Sequence, residues 1–142
     1  MSKIAIVYWS GTGNTEAMAN FIADGVKQGG GEADSFEASD FSGDKADGYD
    51  VLAFGCPSMG DEELEEEEFK PMFDDCVPHL KGKKIVLFGS YGWGDGEWMR
   101  NWEASCAEAG ISLAHESIIV NEAPEGEDAD ALIALGKALA ED

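Results

Sequence analysis

A chain of 142 residues with 44% apolar content and only 22 Gly and Pro is long enough for one domain (1–142) with a sizeable core, and no low-complexity segment breaks it. Thirty acidic residues against nine basic ones leave a formal charge of −21. Binding to phosphate backbones or anionic membranes needs clustered Lys and Arg, so neither nucleic acid nor membrane is expected as a partner.

The first element is the apolar run Ile4–Val7, which reads as a buried strand. A loop, Tyr8-Trp9-Ser10-Gly11-Thr12-Gly13-Asn14-Thr15-Glu16, leads into a helix over 16–28 that stops at Gly29-Gly30-Gly31. Ala33–Glu37 is a weak, polar, edge-like strand, and 39–49 holds at most a short helix. Val51–Gly55 and Ile85–Gly89 are continuous apolar runs, as strands covered on both faces should be. Between them a short helix runs from Phe69 to Val77, with Pro71 tolerable only in its first turn. A helix from Glu97 to Ala109, closed by Gly110, is followed by a fifth strand at Ile118–Val120 with Ser112–Glu116 ahead of it, then by a helix from Asp128 to Ala140. Alternating strands and helices predict an α/β fold: a doubly wound, five-stranded parallel sheet with helices on both faces. Ligands on such sheets bind at the carboxyl ends of the strands, which singles out the loops after Trp9, Gly55 and Gly89.

The first loop has the composition of a phosphate cradle. The first N–H groups of a helix lack intrahelical partners, and the helix dipole favours negative charge there. A P-loop would need Lys after Gly13, where Asn14 stands; a dinucleotide fingerprint would need Gly at Glu16. What remains are four side chains able to hold one phosphate: Ser10, Thr12, Asn14 and Thr15. No Lys or Arg lies between Lys3 and Lys27, so a monophosphate would be held by neutral donors alone. A plain helix N-cap accounts for one hydroxyl, not for four such residues in six.

The second loop is Cys56-Pro57-Ser58-Met59-Gly60-Asp61-Glu62, and the third is Ser90-Tyr91-Gly92-Trp93-Gly94-Asp95-Gly96. A Trp with Gly on both sides fits neither strand nor helix periodicity. It belongs to a loop whose backbone approaches something closely. A flat ring stacked between Trp93 and Met59 fits both loops, each contact contributing about 0.3–1.5 kcal/mol. The competing reading places both side chains at the ends of the core. Cys56, Cys76 and Cys106 are odd in number and widely spaced; each reads as a small buried hydrophobe in a reducing cytoplasm, with neither a disulfide framework nor a metal knuckle. His79 and His115 are isolated and form no metal-ligand pair. The sequence goes straight from Met1-Ser2-Lys3 into a strand and has no run near the roughly 18 apolar residues of a bilayer span, so a cytoplasmic protein without a signal peptide is expected.

A monophosphate cradle beside a planar slot suits a mononucleotide cofactor. From Lys3 to about Ala140 the chain resembles the short-chain flavodoxins of anaerobic, clostridial-type bacteria. Ser10-Gly11-Thr12-Gly13-Asn14-Thr15 is similar to the family's FMN-phosphate loop, Met59-Gly60-Asp61-Glu62 to its isoalloxazine loop, and Gly89-Ser90-Tyr91-Gly92-Trp93-Gly94 to its second flavin loop. Some relatives carry Ser directly after the Cys, within reach of the phosphate; here Pro57 stands there and Ser58 follows. The resemblance implies strand order 2-1-3-4-5 with FMN at the switch point. It further implies a low-potential one-electron carrier, not an enzyme, cycling between semiquinone and hydroquinone. Asp61 and Glu62, with dense packing by Met59 and Trp93, would disfavour the anionic hydroquinone. Gly60 would permit the Met59–Gly60 carbonyl to turn toward reduced N5–H. A phosphate buried without cations would anchor the ring.

The run Glu62–Glu68 suits a helix start by its dipole, and it also suits a docking surface for a basic redox protein. Solubility or a saline habitat would explain the overall charge equally well. A monomer is expected. The competing function is an FMN-dependent NAD(P)H or quinone reductase, disfavoured because no long insertion builds a lid and no Arg is expected near the flavin loops. A phospho-receiver domain would need an acidic pocket after the first strand and a Lys after the last, where Val120 leads to Asn121.

Overall fold

A computed structural model describes residues 3–141. Apolar runs form β1 (Ile4–Tyr8), β3 (Val51–Gly55) and β4 (Lys84–Tyr91), flanked by β2 (Ala33–Glu37) and β5 (Ile118–Asn121). All pairs are parallel, in the order β2-β1-β3-β4-β5, as the resemblance implied. Each crossover between these strands contains a helix: α1 (Asn14–Gln28), the single turn α2 (Gly43–Ala46), α3 (Phe69–Cys76) and α4 (Glu97–Glu108), with α5 (Glu127–Glu141) following β5.

Strand side chains alternate between faces, so one sheet carries two cores. Ala5, Val7, Leu52, Phe54, Ile85 and Leu87 meet Phe69, Phe73, Trp98 and Trp102 of α3 and α4. Ile4, Ile6, Val51, Ala53, Val86 and Phe88 meet Met18 and Ile22 of α1 and Leu132 and Leu139 of α5. β1 and β3 are buried at nearly every position because both faces are covered, and β2 is largely exposed because it is an edge.

Four boundaries depart from expectation. Helix α1 begins at Asn14, two residues earlier, since Gly13 (φ 95°) turns the chain directly into it. β4 continues to Tyr91, so Ser90 and Tyr91 are strand and not loop: they pair with Val120 and Asn121. Residues 112–116 are not strand; Leu113 makes an isolated bridge to Ile85 and the chain rejoins the sheet at Ile118. Helix α3 stops at Cys76, where Pro78 draws Val77–His79 into a 3-10 turn. The ends of α4 and α5 agree to within one residue.

Candidate cofactor site

The amino end of α1 meets the carboxyl ends of β1, β3 and β4. Past β1, Trp9 N–H still bonds to Gly55 O (3.0 Å) before the chain turns. Ser10 Oγ accepts from Gly13 N–H (3.0 Å) and Glu16 N–H (3.3 Å), so this hydroxyl braces its own loop. An early bond within the helix runs from Ala17 N–H to Gly13 O (3.0 Å), and the N–H groups of Asn14 and Thr15 precede it. Thr15 is fully buried, with Oγ1 3.0 Å from Ser90 Oγ. Two hydroxyls carry two protons and that bond uses one, leaving the other to be donated.

The second loop is pinned at both ends. Ser58 N–H donates to Ser90 O (3.0 Å), and Met59 and Glu63 exchange two backbone bonds of 2.8 Å each. Inside that turn Gly60 (φ 49°) and Glu62 (φ 57°) are left-handed. Glu62 is buried and accepts Glu97 N–H (3.0 Å) at the start of α4. Gly94 makes room for it: at φ 85°, a Cβ there would lie 2.6 Å from the Glu62 carboxyl. The Glu62 carboxylate thus joins the second loop to the third.

Glu65 is also buried. Its oxygens accept from Glu67 N–H (2.8 Å), Glu68 N–H (2.8 Å) and Phe69 N–H (2.7 Å), while its own N–H points at Cys56 Sγ (3.3 Å). Burial pushes this carboxyl up, but the three N–H bonds together prevail and hold it below the usual 4.5. Glu68 Oε1 accepts from Trp9 Nε1 (3.1 Å). Every third residue of the acidic run, Glu62, Glu65 and Glu68, is therefore engaged, and Asp61, Glu63, Glu66 and Glu67 remain exposed.

In the third loop, Trp98 Nε1 donates to Cys56 O (3.1 Å) and Tyr91 packs on the Trp98 ring, with centroids 5.5 Å apart. Trp93 is 61% exposed, which overturns the competing reading of it as a core side chain. The expectation that no arginine stands near this loop is corrected as well. Arg100, the chain's one arginine, folds back one turn of α4 to bond Asp95 O (3.1 Å) and Asp95 Oδ1 (2.9 Å).

A cleft of about 660 Å³ lies among these loops, within the roughly 300–1,000 Å³ of small-ligand sites. Of the predicted residues, Gly11, Thr12 and Asn14 line it from the first loop, Pro57, Ser58 and Met59 from the second, and Ser90, Tyr91 and Gly92 from the third. Ser10, Gly13, Thr15 and Glu62 shape the loops from outside that lining. Gly60, Asp61, Trp93 and Gly94 also lie outside it and are exposed. Trp9, the last residue of β5 (Asn121) and the segment after it (Glu122, Ala123 and Glu125) line the cleft too and were not predicted. The same carboxyl-end rule points to the β5 loop; its polar residues carry no motif. Asn121 Nδ2 (3.2 Å) and Glu122 N–H (2.8 Å) both donate to Tyr91 O and hold that wall in place.

Comparison with known proteins decides what this arrangement is. The family described as flavodoxin matches residues 6–136. The chain belongs to the flavodoxin family, in its short-chain clostridial type. It is 50% identical over 122 residues to the flavodoxin of Megasphaera elsdenii (86% of this chain, 88% of that protein) and 44% identical over 135 residues to that of Clostridium beijerinckii (95% and 97%). The solution structure of two-electron reduced Megasphaera elsdenii flavodoxin superposes with a TM-score of 0.87 at 46% identity, covering 95% of this chain and 98% of that one. Flavodoxins are electron-transfer proteins and not enzymes, which removes the reductase alternative, and their cofactor is FMN.

The cleft fits that cofactor. No Lys or Arg lines it, while Thr12, Asn14, Ser58 and Ser90 beside the opening of α1 offer the neutral donors a monophosphate needs, and Met59 and Tyr91 offer surface to a flat ring. All three cysteines are buried, and burial pushes the Cys56 and Cys76 thiols up to about 12 and Cys106 to about 11, so none supplies a thiolate. Among the described residues no helix is long and apolar enough to cross a membrane.

Proposed function

We propose that this flavodoxin is a low-potential carrier that works between the one-electron and two-electron reduced forms of its FMN. In this reading it acts as a single-domain cytoplasmic monomer and serves redox proteins with basic surfaces. The flavin supplies the electron chemistry; the protein sets its position and its field.

The observation that carries this reading is a cleft lined by Glu122 and Glu125 and by no cation. Adding the second electron there places negative charge among carboxylates, and each tenfold shift of a one-electron equilibrium is about 59 mV. Thr12, Asn14, Ser58 and the N–H groups opening α1 hold the phosphate in this proposal, with Ser10, Gly11, Gly13 and Thr15 shaping their loop and Pro57 beside Ser58. Met59, Gly60, Asp61 and Glu62 form one side of the ring site, and Ser90, Tyr91, Gly92, Trp93 and Gly94 the other. Gly60 is the adjustable unit. A Cβ there meets nothing within 4 Å, so an Ala substitution acts on backbone preference and not on space.

Stepwise dithionite titration of the FMN-loaded protein tests the reading. Two separate one-electron steps are expected, with the long-wavelength absorption of the intermediate form accumulating in the first. Gly60→Ala should lower that accumulation. A single two-electron step in the wild type would overturn the proposal.

A further inference from the structure

Trp9 was not anticipated as a cofactor residue, yet its indole spans two parts of the site. It follows β1 and is anchored there by its backbone bond to Gly55. Its six-membered ring lies over the phosphate loop, where a Cβ on Gly11 would sit 3.1 Å from Cη2 and 3.2 Å from Cζ3. Its Nε1 edge reaches the other way, to Glu68 Oε1 at 3.1 Å. Trp9 is one of the residues that line the cleft. Tryptophan has only two side-chain torsions, and one hydrogen bond at the far edge restricts both.

We propose that Trp9 is a cofactor-binding wall of the cleft and that Glu68 is its positioning residue. The inference rests on the cleft being the FMN site. It gives the acidic segment a task besides docking. Glu68 is exposed to solvent, but its carboxylate fixes an aromatic ring that borders the phosphate end of the cofactor. A basic partner approaching the segment would meet a carboxylate one hydrogen bond away from the cleft wall.

The test measures FMN binding and release with the apoprotein and free FMN, by flavin fluorescence, for Trp9→Phe, Glu68→Ala, Glu68→Gln and the Trp9→Phe/Glu68→Ala double variant. Phenylalanine keeps a ring and removes the N–H; glutamine keeps a carbonyl acceptor. Trp9→Phe and Glu68→Ala should each weaken binding and speed release roughly three- to tenfold. The double variant should be no worse than the weaker single variant, because both delete one contact. Glu68→Gln should stay within about twofold of wild type. Apoprotein melting temperatures should not follow these losses. Unchanged binding in Glu68→Ala, additive losses in the double variant, or losses that track melting would each overturn the pair. Uptake of FMN by the wild type reports on the site itself, so the two failures are distinct.

Discussion

Glu65 shows what one buried carboxylate does for this fold. It sits outside α3 yet accepts three N–H groups at the start of that helix, all within 2.8 Å. Its folded-state carboxyl lies below the ordinary 4.5. The stabilisation is therefore complete above about pH 4.5, and it is lost as pH falls through the lower folded value. Glu65→Ala should cost about 2 kcal/mol in urea unfolding at pH 7, with the gap to wild type closing in acid. A gap that stayed constant from pH 7 to pH 3 would assign the loss to packing. The cysteines make a second case at this scale. With thiols pushed up to about 12, 12 and 11, they stay protonated near neutrality. A thiol-specific chromogenic reagent at pH 8 should find none of them in the native protein and all three in denaturant.

Among elements, the loop that opens α1 and the loop that precedes α4 divide their work differently. Ser10 braces its loop from within, so Ser10→Ala should destabilise the apoprotein by about 1 kcal/mol and weaken FMN binding as a consequence. Trp93 braces nothing: at 61% exposure its removal should leave apoprotein stability within about 0.5 kcal/mol while weakening FMN binding. Paired urea melts and FMN titrations separate the two behaviours. Equal loss of stability in both variants would mean that the exposed indole has a structural role. The sequence made these loops legible because strand runs such as Val51–Gly55 and helix stops such as Gly29 are local signals. What it hid was tertiary. Ser90 and Tyr91 look like loop residues beside glycines, but they are strand because Val120 and Asn121 pair with them. Residues 112–116 lead toward the apolar run Ile118–Val120, yet the sheet takes only Leu113 from them. Trp9 gave no periodic signal, and its orientation depends on Glu68, 59 residues along the chain, which only folding brings to it.

For the molecule as a whole, a charge of −21 makes two opposed demands on salt. Self-repulsion strains the compact state, and screening relieves it once the Debye length falls to about 10 Å near 0.1 M. The same screening weakens attraction to a cationic partner. Melting temperature should therefore rise with sodium chloride, while the rate constant for reducing a cationic one-electron acceptor falls roughly tenfold between 0.01 and 0.5 M. With an anionic acceptor the rate should instead rise. Whether the exposed acids at 61, 63, 66 and 67 direct docking, or net charge alone does, depends on position. Glu67→Lys and Glu108→Lys change the total charge equally, but Glu108 ends α4 at the far side from the cleft, and its new cation would also suit a helix carboxyl end. If docking is local, Glu67→Lys flattens the salt dependence with the cationic acceptor and Glu108→Lys leaves it near that of wild type. Equal flattening by both would give the charge a global role, and the acidic segment beside Met59 would then guide no partner.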